Sequence, residues 1–291
     1  MTPAVALRLG RVSNLPTVWS NVLVGTVLTG GRPWTWATLL LAVAISLLYV
    51  GGMYLNDAFD REIDARERPS RPIPAGLAAA NTVFAAGFAM LLAGIALVAL
   101  AADMVLPGSP LRATLASVAL AGAILFYNWH HKGNVLSPLF MGLCRLLAYV
   151  TAGYAAVDSP GAALAAAALV SLSYLIGLTY IAKQEALDQL GRLWPLLFLA
   201  APVVYGLLQI GSAPAVGNLL LAALLAWILT ALYVLKRRAK GDVPRAVVGL
   251  IAGISLVDAV FLAFSGAADA AGAAVLCFLI TLALQRWISG T

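Results

Sequence analysis

Nine consecutive residues, Asn56-Asp57-Ala58-Phe59-Asp60-Arg61-Glu62-Ile63-Asp64, hold four of the chain's 12 acidic side chains, a density that calls for a chemical reason. If the apolar helix before them runs a turn or two past Leu55, Asn56, Asp60 and Asp64 fall on one face, with Asp57 beside them. A row of carboxylates repels itself unless divalent cations sit among them. Carboxylate oxygens shared with phosphate oxygens are the usual way Mg²⁺ is held. Arg66, Arg68 and Arg71 follow closely, and guanidinium groups grip phosphate bidentately. The stretch therefore reads as a Mg²⁺ and phosphate or diphosphate site, with Asn56, Asp57, Asp60 and Asp64 as oxygen ligands. The plain alternative is a solvated, charged loop, and the regular spacing weighs against it.

The elements that must position this cluster are membrane helices. The 291 residues are 62% hydrophobic and 10% charged, with mean hydropathy +0.95. So few charges cannot cover the surface of a soluble protein of this size. Ten apolar runs approach the length of a spanning helix: Leu15–Thr29, Thr35–Leu55, Thr82–Leu100, Leu111–Tyr127, Leu136–Val157, Ala162–Ile181, Leu193–Ile210, Ala215–Leu235, Ala246–Phe264 and Ala270–Trp287. None alternates with period two, which argues against a β-barrel. The expected fold is an all-α integral membrane protein, a single domain over residues 1–291. Nine or ten transmembrane helices surround a lipid-open cavity capped by two polar loops.

With the N-terminus taken as cytoplasmic, every Lys and Arg falls inside except Arg32, Arg112 and Arg145, the last within the fifth run. The net charge of +6 thus speaks to topology, with both termini cytoplasmic, and not to a nucleic-acid partner. The long polar loops, Asn56–Asn81, Asn128–Val135, Lys183–Arg192 and Lys236–Arg245, share that side. Function is expected there, in a multi-pass protein of the cell (inner) membrane. Cys144 and Cys277 lie in separate apolar runs and suggest neither a disulfide framework nor a metal motif. No small-residue cleavage pattern follows the first run.

Asn56-Asp57-x-x-Asp60-x-x-x-Asp64, followed by Arg68-Pro69-Ser70-Arg71-Pro72-Ile73-Pro74-Ala75-Gly76, resembles the first signature of the UbiA superfamily of intramembrane prenyltransferases. Arg11-x-x-Asn14 with Asn21, and Tyr127 with Lys132, resemble two further family patterns. The resemblance implies that two acidic motifs bind Mg²⁺ and an isoprenyl diphosphate whose tail enters a cavity open to membrane lipid. Ionisation then gives an allylic cation that a small acceptor captures. In this chain the implied catalytic residues are Asp57, Asp60, Asp64 and Asp188. The second motif reads Lys183-Gln184-Glu185-Ala186-Leu187-Asp188. Lys183 fits the basic residue and Asp188 the second aspartate, while Gln184 stands where the first aspartate is expected and Glu185 is displaced by one. An amide oxygen carries no charge, so the second metal site is altered.

Implied substrate-binding residues are Asn14, Asn56, Arg68, Arg71, Tyr127, Lys132, Arg145, Lys183, Gln184 and Glu185. Arg145 is read as lining the site, since an intramembrane arginine is costly and faces an interior cavity; the alternative is snorkelling to the interface. Gly142-x-Cys144-Arg145 also resembles the UbiA-like proteins called EboC. Asp258, near the middle of the ninth run, either pairs with a buried polar group or lines the cavity. His130 and His131 read as solvated loop residues. The expected activity is Mg²⁺-dependent prenyl transfer from an isoprenyl diphosphate to a small aromatic, tetrapyrrole-alcohol or polyol acceptor. The alternative is a non-catalytic lipid-diphosphate binder or a transporter.

Overall fold

The computed structural model describes residues 1–184, 193–211, 214–237, 239–288 and 290. Among these, the chain is helical and has no strand. The α-helices in chain order are α1 (Pro3–Leu9), α2 (Leu15–Val27), α3 (Trp36–Phe59), α4 (Arg61–Glu67), α5 (Ala80–Val105) and α6 (Leu111–His130). They continue as α7 (Ser137–Ala156), α8 (Ala162–Lys183), α9 (Ala201–Leu207), α10 (Ala215–Arg237), α11 (Asp242–Phe264) and α12 (Ala268–Leu284).

Each of the ten apolar runs is helical, but only seven are long and apolar enough to cross a membrane: α3, α5, α6, α7, α8, α10 and α11. The first run forms a 13-residue helix, α2, preceded by a short 3-10 turn and by α1, a seven-residue helix the hydropathy pattern did not mark. The seventh run is a 3-10 segment, Trp194–Ala200, followed by the seven-residue α9. Pro195 and Pro202 explain the shortening, because each lacks the N–H an uninterrupted α-helix requires.

Two large apolar cores and a small one share the bundle. The first large core is built from α2, α3, α5, α6 and α7, the second from α2, α7, α8, the 3-10 segment, α10, α11 and α12, and the small one joins α1 to α3 and α5. Bulky side chains such as Leu92, Leu115, Leu169, Leu219 and Leu229 point outward and are more than half exposed, as a lipid-facing surface requires. Helix α11 is enclosed over most of its length.

The site depends on one close helix pair. A Cβ on Gly51 of α3 would lie 2.9 Å from the Gly87 carbonyl of α5, so the two backbones meet at a distance only glycine permits. That contact fixes the last turns of α3, which carry Asn56 and Asp57. Helix α3 does not continue straight through the acidic stretch as the spacing suggested. It stops at Phe59, the chain bends at Asp60, and α4 begins at Arg61. The Asp60 N–H still donates to Asn56 O and its carbonyl accepts from Asp64 N–H, so the break is a one-residue bend within a bonded path. Asn56, Asp57 and Asp64 turn from that bend toward Arg11 and Arg71, and Asp60 turns toward His131 and Lys132.

Candidate diphosphate site

Asp57 and Asp64 share a cation supplied by the turn after α4. Arg71 Nη1 lies 2.7 Å from Asp57 Oδ1 and 3.4 Å from Asp64 Oδ2. The Pro-rich sequence makes this possible. Pro69, Pro72 and Pro74 restrict the chain, Ala75 N–H bonds Arg71 O, and Leu77 N–H bonds Pro72 O. Gly76 closes the turn at φ 73°, a left-handed conformation that suits glycine. The loop folds back, and its arginine lands over the carboxylates.

Arg11 arrives from the other side. It is the only non-glycine residue with positive φ (42°) among the described residues, between α1 and the 3-10 turn. That conformation costs about 1 kcal/mol or more. It aims the guanidinium at Asn56 Oδ1 (3.2 Å) and Asp57 Oδ1 (3.4 Å). Asn56 Nδ2 in turn donates to Asn128 Oδ1 (3.3 Å), and Asn128 Nδ2 donates to Gly52 O (2.9 Å), which ties α6 to α3.

Asp60 faces α6 and the loop behind it. His131 Nε2 lies 3.3 Å and Lys132 Nζ 3.6 Å from its Oδ2. The other ring nitrogen, Nδ1, meets the Tyr127 carbonyl at 3.1 Å, and the imidazole stacks on the Tyr127 ring. Burial pushes the Asp60 carboxyl up, but His131, Lys132 and Arg71 together outweigh it and hold the group below its ordinary value. Asp64 goes the other way. Burial raises it, Arg71 opposes, and the charges of Asp60 and Asp57 raise it further.

Asp64 Oδ1 is buried and has no hydrogen-bond partner among the described residues. An orphaned carboxylate oxygen amid hard oxygen donors fits a divalent cation such as Mg²⁺. The residues that would hold it are Asn56, Asp57, Asp60 and Asp64. Among the described residues, no three acidic or histidine side chains converge on a single point; Arg71, Arg11 and Lys132 neutralise the carboxylates instead, with His131 beside Asp60.

These groups open onto a polar cavity of about 320 Å³, lined by Asn56, Asp60, Arg68, Arg71, Lys132 and Lys183 among others. Lys183 Nζ donates to Asn134 O (2.7 Å) and Ser137 Oγ (2.9 Å). Asn14 lines the same cavity and is held by the C-terminal segment: its Nδ2 donates to Gly290 O (2.9 Å) and its Oδ1 accepts from Gln285 (3.0 Å). A second, mainly apolar chamber adjoins it, lined by Val18, Ile45, Leu120, Ile124 and Ala148. Tyr49, Met53, Tyr127, Met141, Arg145 and Leu175 border both. A charged vestibule and an apolar chamber therefore share a wall.

The structure thus brings Asn14, Asn56, Asp60, Arg68, Arg71, Tyr127, Lys132, Arg145 and Lys183 to one cavity. Asp57 and Asp64 stand just behind, on Arg71. Gln184 ends α8 next to Lys183. Glu185 and Asp188 lie outside the described residues. Arg145 does not snorkel; its guanidinium bonds Thr17 O (3.2 Å) and Asn21 Oδ1 on α2. His131 is not a solvated loop residue but a partner of Asp60. Sequence reasoning missed Tyr49, Met53 and Glu67 as lining residues and gave Arg11 no place in the site. A motif reads one segment, and nothing local says which distant helix will face it.

A profile of the UbiA prenyltransferase family matches residues 15–192. Digeranylgeranylglyceryl phosphate synthase of Methanopyrus kandleri is 34% identical over 148 residues, 48% of this chain and 50% of that protein. Chloroplastic chlorophyll synthase of Oryza sativa subsp. japonica is 39% identical over 92 residues, 29% of this chain and 24% of that protein. The chain thus spans half or less of the length of these curated relatives. The apo structure of a UbiA homolog from Aeropyrum pernix K1 has a TM-score of 0.65 at 18% identity, covering 92% of this chain and 98% of that one. A structure concerned with digeranylgeranylglyceryl phosphate synthase has a TM-score of 0.61 at 20% identity, covering 91% and 97%. At such identities the two structures speak for the fold alone.

Proposed function

The chain belongs to the UbiA prenyltransferase family, and from that premise we propose that it transfers a prenyl group from an isoprenyl diphosphate to a small acceptor. The observation that carries the reading is the shared wall between a cationic vestibule and an apolar chamber. An isoprenyl diphosphate is itself a charged head on an apolar tail. Its head would lie among Arg68, Arg71, Lys132 and Lys183, and its tail would run past Tyr49, Met53 and Tyr127 into the chamber. Bound Mg²⁺ would supply positive charge that stabilises the departing diphosphate.

The remaining work falls to the chain. Arg71 and Arg11, now on Asp57, are near enough to the cavity to turn toward phosphate oxygens once those carboxylates hold a cation. Lys132 and Lys183 provide charge from two further loops, and oriented cations of this kind favour the developing anion. The apolar chamber excludes water from an allylic carbon as its bond to oxygen weakens. The acceptor, an aromatic ring, a tetrapyrrole alcohol or a polyol, would approach through the same vestibule. The names of the relatives, digeranylgeranylglyceryl phosphate synthase and chlorophyll synthase, support the polyol and tetrapyrrole classes of acceptor. The positive-inside pattern supports a cytoplasmic vestibule in the cell (inner) membrane, with both termini on that side.

The alternative, a lipid-diphosphate binder without turnover or a transporter, draws on Gln184 standing where an acid is expected. Binding of geranylgeranyl diphosphate to the purified protein, with and without Mg²⁺, tests the donor site. We expect Mg²⁺-dependent binding that Asp60→Ala weakens by about 100-fold, on the scale of losses at metal-supporting residues. Binding indifferent to both Mg²⁺ and Asp60 would defeat the reading. Product detection with an acceptor panel then separates enzyme from binder.

A further inference from the structure

The most enclosed acidic group among the described residues touches neither cavity. Asp258, fully buried in α11, sits within the membrane-spanning bundle. Three side chains from two other helices converge on it. Ser20 and Asn21 of α2 donate to Oδ2 at 2.5 and 2.7 Å, and the Tyr149 hydroxyl of α7 donates to Oδ1. Ser255 backs Ser20 at 3.1 Å, and Ser171 of α8 backs Tyr149 at 2.7 Å. A buried carboxyl in a spanning helix is costly, and so many partners mark it as more than packing.

We propose that Asp258 is a positioning residue for Arg145, acting through the side-chain amide of Asn21; the proposal rests on the donor-site reading above. An asparagine amide has one donor end and one acceptor end. Asp258 Oδ2 accepts from Nδ2 and thereby turns Asn21 Oδ1 the other way, onto Arg145 Nη1. Were the amide reversed, its N–H₂ would face the guanidinium, donor against donor. Thr17 O at 3.2 Å completes the seat for Arg145.

The seat matters because of where it lies. Arg145 borders both the polar vestibule and the apolar chamber, and Asn21 lines the chamber beside it. A lipid diphosphate spanning the two would place the bond between head and tail at that border. A guanidinium there grips the diphosphate where it joins the tail. Asp258 thus sets the direction of one amide, and the amide sets the place of one cation. Asp258 acts on the site from α11 without itself contributing an atom to either cavity wall.

The test compares binding of geranylgeranyl diphosphate, in Mg²⁺, with binding of geranylgeraniol, which keeps the tail and lacks the diphosphate. Arg145→Leu, Asp258→Leu and Asn21→Leu are each expected to reduce the preference for the diphosphate by about 10- to 100-fold, the scale of a hydrogen bond to a charged group. Alcohol binding should change little in Asp258→Leu, since Asp258 lines neither cavity. Asp258→Leu combined with Arg145→Leu should lose no more than Arg145→Leu alone. Asp258→Asn, which can present a carbonyl oxygen in the same place, should bring the preference back toward wild type.

Equal losses for diphosphate and alcohol would show that Asp258 merely supports the chamber, and would overturn the proposal. So would an undiminished preference in Asp258→Leu or in Arg145→Leu. If Asp258→Leu does not fold, Asn21→Leu carries the same comparison. A wild-type protein that does not prefer the diphosphate at all, or prefers it without Mg²⁺, defeats the donor-site reading instead.

Discussion

Asp64 shows how a residue can oppose stability and still belong to the site. Its carboxyl is buried, one oxygen lacks a partner, and burial together with Asp60 and Asp57 raises it above its ordinary value despite Arg71. For an acid raised in the folded state, ionisation costs stability at every pH above the folded value. That cost fades as pH falls through it, because the group is then neutral. Asp60 has the opposite sign: lowered in the fold, it contributes stability above its unfolded value and loses that contribution as pH falls through the folded one. Asp64→Asn is therefore expected to raise Tm of the metal-free protein in detergent at pH 8, with a gain that shrinks as pH is lowered into the acid range. The same substitution should weaken Mg²⁺-dependent diphosphate binding. A lower Tm at pH 8 would mean that the Arg71 contact, and not the burial cost, dominates at Asp64. The acidic cluster was legible in the sequence because its side chains lie within nine residues. Which cation each carboxylate would meet was not, since Arg11 and His131 come from elements tens of residues away.

Helix contacts decide whether those side chains meet at all. Gly51 and Gly122 make a matched pair for testing this. A Cβ on Gly51 would crowd the Gly87 carbonyl at 2.9 Å and Met90 at 3.1 Å, whereas a Cβ on Gly122 of α6 meets nothing within 4 Å. Gly51→Ala should cost about 1–3 kcal/mol as α3 and α5 are forced apart. Gly122→Ala should be neutral or stabilise by about 0.5–1 kcal/mol through helix propensity. Reversible unfolding of the two variants in the same detergent measures the difference, and equal stabilities would remove the role assigned to the Gly51–Gly87 contact. The ten apolar runs were readable from hydropathy alone, because each spanning helix must be apolar along its length. Their breaks were not. A hydropathy count registers Pro195 and Pro202 as compatible with an apolar run and misses the hydrogen bonds they remove. The bend at Asp60 was equally hidden, since a helical spacing of ligands survives a one-residue break.

At the scale of the whole molecule, the division into two large apolar cores places the cavities where α2, α3, α6, α7, α8 and α11 meet. The sequence indicated a membrane bundle with function at the basic face, because charge bias and loop length are properties of the chain. The depth and lining of the chamber were not readable, since they depend on which faces of separate helices turn inward. That depth carries the final prediction. Ala148 of α7 lines the chamber one helical turn beyond Arg145, and its small side chain leaves the chamber open there. If the tail lies in this chamber, Ala148→Leu removes room for two or three methylene groups. At about 0.8 kcal/mol each, this weakens a long-tailed donor by roughly 30-fold. Geranylgeranyl diphosphate should lose affinity by this amount, while geranyl diphosphate, too short to reach a narrowed end, should be little affected. Paired titrations with the two diphosphates measure the ratio directly. An equal loss for both would place the obstruction at the shared wall and not in the tail's path, and no loss for either would take the tail out of this chamber altogether.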